Sequence, residues 1–271
     1  MIDFKHPLIP FLSFLALACS NSIFATATSS PTSNDNLWTR WFNLPQTHLV
    51  VSAIGGYANM NTGDSQTYTG TDQQMFVYNN PNNGGNQAVL GAFLGSEWHL
   101  PNPDYFTQIG LGYNNFGSTT VSGSQLTGIE PATSTLYQYQ YKMKSQQLLV
   151  INKWYMTFHQ FHPFVLAGIG AAFNHSYAFN ISTLETGSIN TTATYDSDTR
   201  TSFTYGVGLG CDVDLKQNLR FGLSYQFTDL GKSTFENGQV NVNTYHAAVP
   251  FALNNSHAYV NQVLATISVV I

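Results

Sequence analysis

Few residues in this chain could do chemistry. Charged side chains make up only 8% of it, and six of them, Glu97, Lys142, Lys144, Asp212, Asp214 and Arg220, fall on one side of alternating segments. Charges crowded on one narrow face need one another, because an unpaired charge away from water is costly. The pattern predicts an ion-pair network centred on Arg220, with Glu97, Asp212 and Asp214 near the same strand ends and Lys142 and Lys144 higher on a fourth strand. Such a network either fills and stiffens an interior or gates a passage. The histidines offer less. His159 and His162 lie near a turn without cysteine or carboxylate at ligand spacing, a weak metal signal. His175 and Ser176 are adjacent and point to opposite faces, and His257 has Tyr259, not serine, two places on. Neither makes the nucleophile and base of a hydrolase built on strands. No catalytic residue, metal site or cofactor is expected.

The elements that position these charges are β-strands. Phe203, Tyr205, Val207, Leu209, Cys211, Val213 and Leu215 alternate with serine, threonine, glycine and aspartate. After Lys216-Gln217-Asn218 the alternation resumes with Leu219, Phe221, Leu223, Tyr225 and Phe227, which makes a hairpin. The last segment carries Tyr259, Val263, Ala265, Ile267, Val269 and Ile271 on one face and Gln262, Thr266 and Ser268 on the other. Earlier strands give Leu49, Val51, Ala53 and Tyr57; Ala88, Leu90, Ala92, Leu94 and Trp98; and Ile109, Leu111 and Tyr113 as apolar faces. In strand four, Tyr137, Tyr139, Tyr141, Met143 and Leu149 are read as outward, which puts Lys142 and Lys144 inward. Strand five is ambiguous, with Val165, Ala167, Ile169 and Phe173 outward against Phe164 and Leu166. Eight strands result, an all-β antiparallel up-and-down barrel whose last strand closes on its first.

Periodicity alone does not say which face is inside; the chemistry does. Inward glycines and aspartates suit a narrow wet lumen, and the continuous Phe, Tyr, Val and Leu face suits lipid. A lipocalin-like soluble barrel would show the reverse. Gly110, Gly112, Gly168, Gly170, Gly206, Gly208, Gly210 and Gly222 make room for large inward neighbours rather than for a permeant, since eight strands leave space only for side chains. Connections alternate between short turns and long stretches at 60–86, 117–134, 175–200 and 231–256, rich in Asn, Thr, Ser and Gly. Outer-membrane barrels keep turns periplasmic and long loops outside, so both termini are read as periplasmic. The loops read as mobile, solvated surface, where a host or envelope partner would bind.

The start of the chain sets the compartment. Lys5, the apolar run 8–19 and Ala25-Thr26-Ala27 read as a cleaved signal peptide over 1–27. Cys19 raises a lipoprotein alternative, but Leu17 sits one place from where such signals want it. Residues 28–45, with Trp38, Trp41 and Phe42, read as a periplasmic leader or a short plug, ahead of a barrel over 46–271. Net charge of −5 gives no footprint for nucleic acid.

From Thr201 the run TSFTYGVGLGCDVDLKQNLRFGLSYQFTDLGK resembles the penultimate hairpin of small outer-membrane barrels, the transmembrane domain of outer membrane protein A and the opacity-type surface antigens or porin-family proteins. The glycine-alternating strand, the short turn and the ending Tyr225-Gln226-Phe227-Thr228-Asp229-Leu230-Gly231 carry the likeness. The resemblance implies a monomeric barrel in the cell outer membrane, inserted by the assembly machinery and surrounded by lipid and lipopolysaccharide. It departs at the C-terminus, where those families end on Phe or Trp and this chain ends Val269-Val270-Ile271. Two functions fit: a surface-interaction barrel, adhesin- or antigen-like, with a filled lumen, or a small diffusion channel for polar solutes.

Overall fold

The computed structural model describes residues 47–62, 65–69, 75–79, 85–128, 135–183, 191–236, 238–242, 245–249 and 253–271. The signal peptide and leader read over 1–45 lie outside the described residues. Eight long strands form the main architecture: β1 (Thr47–Asn61), β2 (Gly85–His99), β3 (Tyr105–Gly128), β4 (Thr135–Met156), β5 (Phe161–Thr183), β6 (Asp198–Lys216), β7 (Leu219–Asp229) and β8 (Tyr259–Val270). Each pairs antiparallel with the next, and β8 pairs with β1 from Val50↔Val270 to Asn61↔Tyr259. The ring is closed. Closure leaves no free edge within it, which is the condition for strands to cross lipid.

The outward side chains sort as the chemistry requires. Leu90, Leu94 and Phe203 are 66%, 54% and 67% exposed, while their neighbours Val89, Phe93 and Thr204 are buried. The outward faces read for β1, β2, β3, β5, β6, β7 and β8 are the observed ones, and on β5 Phe164 and Leu166 are inward. On β5 the outward apolar run from Phe161 to Phe173 covers about 40 Å of strand, or about 30 Å along the membrane normal at a tilt of ~40°, close to the apolar band of an outer-membrane barrel. Strands β3, β4 and β5 are far longer, at 24, 22 and 23 residues. At ~3.3 Å per residue and the same ~40° tilt they rise roughly 55–60 Å along the membrane normal, so about half their length stands clear of the lipid.

That height corrects the reading of strand four. Tyr137, Tyr139, Tyr141 and Met143 are buried inside the barrel with Leu149 and Ile151, while Leu148 and Val150 are the exposed neighbours. The tyrosines lie above the lipid, where outward means water, so burial drives them inward. The long connections are also more ordered than their composition suggests. Gln66–Thr69 and Met75–Asn79 form a hairpin that adds to β3 at Ser124–Gly128, and Thr191–Tyr195, Gly238–Val242 and Tyr245–Val249 form a three-stranded sheet. Thr and Asn recur in these segments, and buried Phe76, Tyr78 and Tyr195 anchor them.

Candidate functional site

Two packed layers occupy the lumen. At the short-turn end, Arg220 from β7 donates from Nε to Asp214 Oδ1 at 2.9 Å and from Nη2 to Glu97 Oε1 at 3.2 Å, with a second, closer contact from Nη1 to Glu97 Oε2. Strand register places them: Asp214 lies opposite Arg220 across β6 and β7. Glu97 reaches Arg220 from β2, and its carboxylate also accepts from Gln108 Nε2 at 2.9 Å. Tyr155 extends the network, donating to Gln108 at 3.2 Å and to Asp212 Oδ2 at 2.9 Å. His162 Nε2 lies 2.8 Å from Asp214 Oδ2. Glu97, Asp212, Lys153 and His162 are all buried.

Aromatic rings pack this layer. Phe106 stacks on Tyr155 with centroids 4.4 Å apart, and the Arg220 guanidinium sits 5.0 Å over Phe106. Lys153 Nζ is 4.8 Å over Phe93 and 5.4 Å over Phe164. Gly210 is required here, since a Cβ would fall 2.6 Å from the Phe164 ring. The layer holds three carboxylates, Glu97, Asp212 and Asp214, against Arg220, Lys153 and His162.

Of the six residues read from sequence, the structure brings Glu97, Asp212, Asp214 and Arg220 together. It does not bring Lys142 and Lys144, which are exposed on the outward face of β4. Their place is taken by Lys153. All three lysines follow from one parity: placing strand four inside out moved Lys142 and Lys144 into the lumen and Lys153 and Tyr155 out of it. Gln108 and Phe106 were legible as inward members of strand three but carry no charge signal.

The second layer fills the long-loop end. Tyr78, Phe116, Tyr139, Tyr141, Met143, Tyr195, Phe235 and Leu253 belong to one buried apolar cluster. Tyr78 and Tyr195 share a hydrogen bond of 2.8 Å between their hydroxyls, and Asn255 donates to the Tyr141 hydroxyl at 2.7 Å. Burial pushes the Tyr78 hydroxyl far above its ordinary pKa, and burial pushes Tyr195 up to about 12 against the lowering effect of its Tyr78 hydrogen bond. Between the layers lie amides and hydroxyls, including Gln147 donating to Thr204 at 2.7 Å and Gln262 to Thr228 at 2.9 Å. Among the described residues no group of three His, Cys, Asp or Glu side chains could hold a metal ion. Chemically, the site offers rigidity rather than an accessible reacting group.

The family model of the outer membrane protein β-barrel domain matches residues 45–251. Among solved structures, Neisserial surface protein A is 12% identical with a TM-score of 0.39, covering 82% of this chain and 96% of its own. The outer membrane protease OmpT from Escherichia coli is 8% identical with a TM-score of 0.44, covering 83% and 96%. Ail, the attachment invasion locus protein of Yersinia pestis, solved with the heparin analogue sucrose octasulfate, is 11% identical with a TM-score of 0.32, covering 82% and 98%. No curated protein matches the chain significantly.

Proposed function

The chain belongs to the outer membrane protein β-barrel domain family, and from that premise we propose that it is a surface-interaction barrel with a filled lumen rather than a diffusion channel. It resides in the cell outer membrane. One observation carries the reading: the lumen is obstructed at two levels, by the Arg220 network below and by the tyrosine cluster above. A solute would have to displace both, and each is tied to several strands. Interiors packed in this way do not deform continuously. The extended strands and their added hairpin and sheet then form a raised, ordered extracellular platform for a host or envelope partner, on a rigid scaffold. With the short turns periplasmic, the charged layer faces the periplasm.

Liposome swelling with polar solutes tests the reading. Flux no greater than in protein-free liposomes is expected. Flux well above that level refutes it and makes the chain a channel. Planar-bilayer conductance of Arg220→Ala tests the gate separately, and unchanged conductance removes the gate.

A further inference from the structure

At the rim of the barrel, where the upper ends of β6, β7 and β8 meet, lies a cavity of about 350 Å³. That lies within the range of about 300–1,000 Å³ for small-ligand sites. Its apolar wall is Phe203 and Tyr205, which face outward at the top of the lipid band. Arg200, Lys232 and His257 add basic groups to the lining. The chain holds only 9 Lys and Arg in 271 residues, so two cations at one cavity are conspicuous, and among the described residues neither has a carboxylate at ion-pair distance.

The walls are fixed by polar contacts. Asp229 lies opposite Tyr205 and Tyr259 on the lipid-facing row, an expensive place for a carboxylate. Its oxygens are both engaged: Oδ1 accepts from the Gly231 amide at 2.8 Å, and Oδ2 lies 2.8 Å from His257 Nδ1. Gly231 adopts a φ of 70°, which lets the chain bend back over the wall. The Lys232 carbonyl accepts from Asn174 and Ser202 at 2.8 Å each. The carboxylate thus holds the cavity's shape and leaves the cations to face a ligand.

We propose that this cavity binds an outer-leaflet lipid through a phosphate headgroup, held by Arg200 and Lys232, with its apolar part laid along Phe203 and Tyr205. Position selects the occupant. A free anion would gain the cations but not the apolar wall, and a zwitterionic lipid would gain the wall while bringing its own positive charge to Arg200 and Lys232.

The test titrates the protein, purified in a nonionic detergent, with dihexanoyl phosphatidic acid, dihexanoyl phosphatidylcholine and inorganic phosphate, following the Gly231 and Lys232 amide resonances. Phosphatidic acid is expected to saturate the site at least tenfold more tightly than either comparator. Arg200→Ala with Lys232→Ala should weaken it at least tenfold, and Phe203→Ser should weaken it too, with heat-modifiable gel migration retained in both as the check of folding. Equal binding of phosphatidylcholine, or unchanged binding in the folded double variant, overturns the site. Phosphate binding as tightly as phosphatidic acid overturns the lipid assignment. Lumenal conductance does not enter these outcomes, so this site and the filled lumen can fail separately.

Discussion

Replacing Arg220 by methionine removes a side chain that joins Glu97 of β2 to Asp214 of β6 across the lower lumen. Glu97 is 1% exposed and Arg220 is 13% exposed, whereas Asp214 is 38% exposed. The Asp214 arm, screened by water, is worth about 0–1 kcal/mol. The Glu97 arm is different, because truncation strands a buried carboxylate whose remaining described partners are Gln108 at 2.9 Å and the His99 ring at 4.0 Å. Breaking a buried pair this way costs about 3–5 kcal/mol. With a urea slope of ~2–3 kcal/mol/M, the unfolding midpoint falls by roughly 1–2 M. Because the cost comes from the stranded charge, Arg220→Met combined with Glu97→Gln should recover about 2–3 kcal/mol of it. The assay is urea unfolding in lipid vesicles for wild type, both single variants and the double variant, read by gel mobility. A coupling below about 0.5 kcal/mol would refute the reasoning, since the Arg220 and Glu97 side chains would then be neighbours without energetic dependence.

Three further outcomes follow from the structure. Tyr78→Phe removes the buried hydroxyl pair with Tyr195 and should cost about 1 kcal/mol, with faster limited proteolysis near residue 195 and unaltered cleavage elsewhere. Because the folded state holds Tyr195 up to about 12 against an unfolded value of about 10, its neutral form supports the cap fully below pH ~10. That support is lost as pH rises toward 12, so tyrosinate absorbance should appear together with opening of the outer cap; ionisation in the intact cap at pH 10 would contradict it. In a Cys211→Ser background, Lys142→Cys should react rapidly with a membrane-impermeant maleimide added to intact cells and Tyr141→Cys should not; the opposite result would restore the inverted strand.

Much of the barrel is legible in the sequence because two chemically unlike faces alternate. On β6, Phe203 to Leu215 cannot be mistaken for the glycines and aspartates between them, so both period and sign can be read. Strand β4 carries Leu148, Leu149, Val150 and Ile151 in succession, a run that is apolar on both faces and has no readable sign. The four tyrosine and methionine positions above it then suggest lipid when they are sheltering from water. The charged layer suffered accordingly, keeping Glu97, Asp212, Asp214 and Arg220, which lie on strands of clear sign, and exchanging Lys153 for Lys142 and Lys144. Hydrogen-bonding partners such as Gln108 and Tyr155 are set by register between strands, which no single strand encodes.

The same strand holds the signal that resolves its sign. Going up β4, the outward face passes from exposed Val150 and Leu148 through Gln146 to the exposed Lys144 and Lys142. On β5 the last exposed apolar outward residue is Phe173, and His175 and Tyr177 follow. These changes coincide in the ladder, because Gln146 lies opposite Phe173, Lys144 opposite His175 and Lys142 opposite Tyr177. Two strands therefore mark one boundary at one height. On β4 the outward face keeps its parity along the whole strand while its solvent changes from lipid to water, so its chemistry must reverse at that level; on β3 and β5 register shifts past Phe116 and Tyr177 change the outward parity above it. Alternation gives the period of a barrel strand; the level at which its outward face turns polar marks where the lipid ends, and above that level large apolar residues belong inside.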